Sequence, residues 1–142
     1  MLPARLKPIQ SAYQRFRRDS EILSQLLAQP LTDQKADAVR HAILVWRRHL
    51  QNYYRYVQPP AFTQEITTRA PYLRRQLEGW QRKHETLMRQ LEQICRQLRQ
   101  RHRHLDDASP RLQLLLREIL QHEEERDQLA YQSFYPEPAA MD

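Results

Sequence analysis

The chain has 142 residues, of which 40% are hydrophobic and 28% charged, enough to bury one core and too apolar for a disordered segment. Its single glycine, Gly79, excludes phosphate-binding glycine loops, dinucleotide fingerprints and nucleophile elbows, all of which need several. A lone Cys95 excludes a disulfide framework and suits a reducing compartment, and 23 Lys and Arg against 17 Asp and Glu leave a net charge of +6 that permits an anionic partner without requiring one.

The start, Met1-Leu2-Pro3-Ala4-Arg5, has no apolar secretory region, and the longest aliphatic runs are far too short to span a bilayer. The expectation is a cytoplasmic protein with no membrane association. With glycine nearly absent, proline and Asp/Ser/Thr clusters mark the boundaries. Pro30 closes a first segment, about 5–28, and Thr32-Asp33 can cap a second, about 34–58, which Pro59-Pro60 ends. A third, about 70–104, takes Pro71 in its first turn. A fourth, about 110–134, follows Asp106-Asp107-Ala108-Ser109-Pro110, with Ser109 as N-cap and Pro110 at the first helical position. Residues 1–135 form one helical domain, and 136–142 a short tail containing Pro136 and Pro138.

All four segments favour helix formers and carry apolar residues at steps of three and four. The first gives Ile9, Tyr13, Phe16, Ser20, Leu23 and Leu27. The second gives Ala38, Ala42, Val45, His49, Asn52 and Tyr56. The third runs Leu73, Leu77, Trp80, His84, Leu87, Leu91, Ile94 and Leu98, and the fourth Leu112, Leu115, Ile119, His122, Arg126 and Leu129. Four amphipathic stripes with short connections predict an all-α fold, an antiparallel up-and-down four-helix bundle. The third helix, roughly 50 Å long at 1.5 Å per residue, overhangs the others. A strict four–three spacing also leaves open a coiled coil between two copies of this helix.

Each stripe is interrupted by a polar residue: Ser20, His49, His84 and His122. Burying an imidazole without a partner is costly, and inward histidines on facing bundle helices are how such folds hold metals. Asp19, Glu123 and Asp127 are the candidate carboxylates, Asp127 falling five residues after His122, just over one turn on and roughly on the same side of the helix. Set against this, single histidines on apolar faces are commonly just partnered core residues. From the loop joining segments two and three, His49 lies about 12 Å along its helix and His84 about 20 Å along its own, so a common height is not assured.

Three stretches resemble the hemerythrin-like (HHE cation-binding) family: Trp46-Arg47-Arg48-His49-Leu50, Ala70-Pro71-Tyr72-Leu73 through Lys83-His84-Glu85 to Leu91, and His122-Glu123-Glu124-Glu125-Arg126-Asp127. The resemblance implies a four-helix bundle with a non-haem metal centre, with His84, His122 and Asp127 at ligand positions and His49 at another. Where that family supplies further ligands, this chain has Tyr53, Val57 and Met88, and Asp19 or Ser20 replaces the histidine of the first helix. What the resemblance then implies is a lost site or a reduced one holding a single iron, manganese or zinc ion, with a binding or sensing role rather than catalysis. A small metal-dependent oxidase or peroxidase using the same histidines is a weaker variant.

The other open reading is a basic helical adaptor. Arg75, Arg82, Arg89, Arg96 and Arg103 repeat every seven residues, and Glu78, Glu85 and Glu92 each precede an arginine by four, the favourable order for intrahelical pairs. The end of the segment lacks such acids, so Arg96, Arg99, Arg101 and Arg103 are the candidates for binding nucleic acid or an acidic protein. A protein partner or a homodimer is compatible with either reading. Tyr53, Tyr54 and Tyr56, and Tyr131, Phe134 and Tyr135, are read as closing the bundle ends, and Cys95 as a packing residue.

Overall fold

A computed structural model describes residues 7–30, 32–100 and 105–135. Every regular element among them is helical: α1 (Lys7–Ala28), α2 (Asp33–Tyr56), α3 (Pro59–Arg69), a 3-10 turn (Pro71–Leu73), α4 (Arg74–Gln100) and α5 (Leu105–Gln132). The tail at 136–142 lies outside the described residues. No helix among those described is long and apolar enough to cross a membrane. α1 packs on α2, α4 on α5 and α3 on α4, with further contacts of α1 with α5 and α2 with α4.

Two boundaries differ from expectation. Pro59-Pro60 ends the second segment and also opens α3, because the first helical turn needs no proline N–H. The Thr63, Thr67 and Thr68 hydroxyls each donate to the carbonyl four residues back, while Ile66 anchors the helix by burial. Pro110, expected at the first helical position, instead lies inside α5, which begins by Leu105. Ala108 and Ser109, just before it, are buried, and this packing draws the chain into helix ahead of the proline.

From Tyr13 onward the stripe of α1, and those of α4 and α5, face inward as their spacing predicts. That of α2 is turned by one residue. Val39, Ile43, Trp46, Leu50, Tyr53 and Val57 are buried, whereas Ala38 and Tyr56 are exposed. α2 carries two adjacent apolar faces, and the side holding Ile, Trp and Leu buries far more area than the side holding two alanines. At about 25 cal/mol per Å² the larger side chains decide the rotation.

The core falls into two clusters. The larger joins α1, α2, α4 and α5 around Phe16, Trp46, Leu91 and Leu116, and the smaller joins Ile66 and Leu73 to Leu77, Trp80 and Leu129. Ser20, fully inside the larger one, is satisfied there. Its hydroxyl donates to the Phe16 carbonyl at 2.7 Å and accepts from the Trp46 indole N–H at 2.7 Å. Ser20→Ala is expected to cost about 1–2 kcal/mol, because a buried indole N–H loses its acceptor. The check is a lower denaturant midpoint with an unchanged slope.

Candidate functional site

The α4 and α5 stripes bring Trp80, His84 and His122 together where the two clusters meet. Trp80 stacks on His122 with centroids 4.4 Å apart and an interplanar angle of 9°, and the two imidazoles lie 5.9 Å apart at 23°. The Tyr54 ring meets His84 edge-on at 4.7 Å. Trp80 donates its indole N–H to the His122 carbonyl at 3.0 Å, which ties α4 to α5 at this level.

His122 is fully buried and neither of its ring nitrogens has a hydrogen-bond partner; the buried Nδ1 of half-buried His84 also lacks one. Burial, reinforced by the neighbouring His84 and Lys83, pushes the His122 pKa down to about 4. Burial lowers His84 too, with Glu85 opposing it. Both rings are therefore neutral at pH 7, the form with a free nitrogen lone pair.

The nearest carboxylate to His122 is that of Glu125, 4.0 Å from Nδ1, which also lies 4.0 Å from the Lys83 ammonium. Asp127 is exposed and acts on Tyr13, Tyr53 and Glu123 rather than on the imidazoles. The helical wheel explains this. At 100° per residue, a step of three falls within 60° of His122, whereas a step of five falls 140° away. Among the described residues, no three His, Cys, Asp or Glu side chains group into a three-ligand centre.

His49 does not join the ring stack. Displaced from the buried seam of α2, it pairs through Nδ1 with the Asp19 carboxylate of α1. Asp19 is thus the partner of His49, and Ser20 that of Trp46.

Beside the histidines lies a polar network that the sequence did not disclose. Glu123, 1% exposed, accepts from the Tyr53 hydroxyl at 2.7 Å and the Tyr54 hydroxyl at 2.9 Å. The Arg126 guanidinium lies 3.3 Å from the same carboxylate and also donates to the Tyr53 hydroxyl. Burial raises the Glu123 pKa, and the phenols and Arg126 oppose the rise. The available signal was Tyr53 at the core step after Trp46 and Leu50, facing a Glu–Arg pair three residues apart.

A groove of about 320 Å³ runs along the outside of the pair, lined by Gln76, Gly79, Trp80, Lys83, Glu125, Gln128, Leu129 and Gln132. Elsewhere, Arg96 and Arg99 are exposed on α4, while Arg101 and Arg103 lie outside the described residues. The expected intrahelical pairs are not those that form. Glu92 reaches across to Arg47 of α2 with two hydrogen bonds of 2.9 and 2.8 Å, and Glu78 pairs with Arg74. Cys95 is buried, and burial raises its thiol pKa, as suits a packing residue. Comparison with protein families, with curated proteins and with solved structures finds no match to this chain.

Proposed function

We propose that the chain is a helical binding or sensing domain, arranged as an antiparallel up-and-down bundle like that of hemerythrin-like proteins and with a long α4, whose ligand is a single metal ion held between α4 and α5. The observation that carries this reading is that His84 and His122, stacked side by side, each keep a buried ring nitrogen without a partner, of which one per ring can ligate an ion. Leaving such an atom unpaired costs about 1–3 kcal/mol, a cost an ion would offset at one nitrogen of each ring.

Two neutral imidazoles suit iron or zinc better than a hard oxygen-seeking cation, and among the described residues Glu125 is the carboxylate nearest the His122 ring, at 4.0 Å, so manganese fits less well. The residues do not fit a dinuclear centre. Glu123 is spent on Tyr53, Tyr54 and Arg126, and Asp127 lies on another side of α5. A site with two imidazole ligands favours exchangeable binding over a permanent cofactor, which is why a sensing role is preferred to catalysis.

Metal analysis of untagged protein, with titration of iron, manganese and zinc, tests this. One ion per chain is expected, lost in a folded His84→Gln variant. Chains that bind none of the three, or variants that bind as well as the parent, would overturn the proposal. The second reading, an adaptor acting through Arg96 and Arg99, gains from one contact: Glu92, the expected partner of Arg96, is held by Arg47. Steeply salt-dependent association with nucleic acid by a metal-free chain would favour it.

A further inference from the structure

We propose that the groove between α1 and α2 is an anion site that takes the phosphate group of a small phosphorylated ligand. Its walls are Ser11, Ala12 and Arg15 of α1 and His49, Asn52, Arg55 and Tyr56 of α2, enclosing about 400 Å³. His49, Asn52 and Tyr56 belong to the face of α2 that the rotation of the helix removes from the core. They share one side by their three–four spacing and meet Ser11 and Arg15, one turn apart on α1.

The wall is rich in donors. Arginine, asparagine, serine and tyrosine all offer N–H or O–H donors, and none of the lining residues is a carboxylate. Among the described residues neither Arg15 nor Arg55 has an ion-pair partner. The nearby Asp19 is committed to His49 Nδ1, which fixes the imidazole and leaves Nε2 as its available nitrogen. Burial, and after it the Arg15 guanidinium, lowers the His49 pKa, so the positive charge of the wall is carried by Arg15 and Arg55. A phosphate, with three or more acceptor oxygens, can engage guanidinium groups on both helices at once, whereas a carboxylate with two oxygens satisfies one arginine fork.

The test is calorimetric titration of the full chain with inorganic phosphate, and with acetate for comparison, in the parent and in Arg15→Gln, Arg55→Gln and Arg75→Gln. All three arginines are exposed, so helicity by circular dichroism should be unchanged. Saturable phosphate binding stronger than acetate binding is expected, weakened about tenfold by either groove substitution and untouched by Arg75→Gln. Equal loss in all three variants would reduce the effect to net charge and overturn the proposal, as would the absence of saturable binding. Phosphatidylcholine vesicles with and without phosphatidic acid distinguish the source of the phosphate. Capture that both groove substitutions abolish assigns it to a lipid headgroup, and binding of free phosphate without capture assigns it to a solute; each supports the groove as the site. Metal content does not enter this readout, so its failure is separable from failure of the imidazole site.

Discussion

Arg126→Leu is expected to lower folding stability by about 3 kcal/mol, a large share of the total for a chain of this size. The substitution keeps the apolar stem but removes the cation that faces the buried Glu123 carboxylate and lies over the Phe62 and Tyr53 rings at 5.4 and 5.7 Å. Glu123 would keep two phenol donors and lose the only guanidinium bonded to it among the described residues. Its pKa is already raised, so part of the strain is relieved by taking up a proton, and the penalty should shrink as the pH is lowered. A double-mutant cycle with Glu123→Met, read by guanidinium chloride unfolding, measures the coupling. The double variant should cost clearly less than the sum of the singles. Strict additivity would mean that the pair is solvated and that the network does not act as a unit.

Acidification is the second large effect. The His122 imidazole falls from its ordinary value near 6.5 to about 4 in the folded chain, so between these two values the unfolded chain binds the extra proton. The contribution is therefore complete above about pH 6.5 and is lost as the pH falls toward about 4, on the order of 2–3 kcal/mol once relaxation of the interior is allowed for. His84, lowered for the same reason, acts in the same direction. Glu123, with a raised pKa, acts in the opposite direction and offsets part of the loss. His122→Phe keeps an aromatic ring to stack on Trp80 but cannot titrate. Unfolding measured at about pH 7 and about pH 4.5 should show a smaller difference in this variant than in the parent. An undiminished difference would assign the acid sensitivity to other groups.

The periodicity of residues 73–98 and 112–129 was sufficient to place Trp80, His84 and His122 on facing interior stripes, because a single large apolar residue marked each turn. α2 was ambiguous for a physical reason. Its small and large apolar residues form neighbouring stripes that satisfy the same spacing rule, and only the area each buries separates them. That one-residue rotation moved His49 out of the interior to meet Asp19. α3 escaped notice because Phe62 and Ile66 are its only large apolar residues, too few to show a period, and because a proline pair reads equally as an end and a beginning. The Glu123 network depends on contacts 70 residues apart along the chain, between α2 and α5, which no local pattern encodes.

Gly79, the only residue of the chain without a side-chain carbon, lies on the wall of the groove beside Trp80. A methyl group added there would meet nothing within 4 Å, so crowding does not require the glycine, although α4 forgoes about 1 kcal/mol of helix propensity by carrying it. Gly79→Ala would thus stiffen α4 at no steric cost, which makes this one backbone position a place where robustness can be gained without repacking the interior.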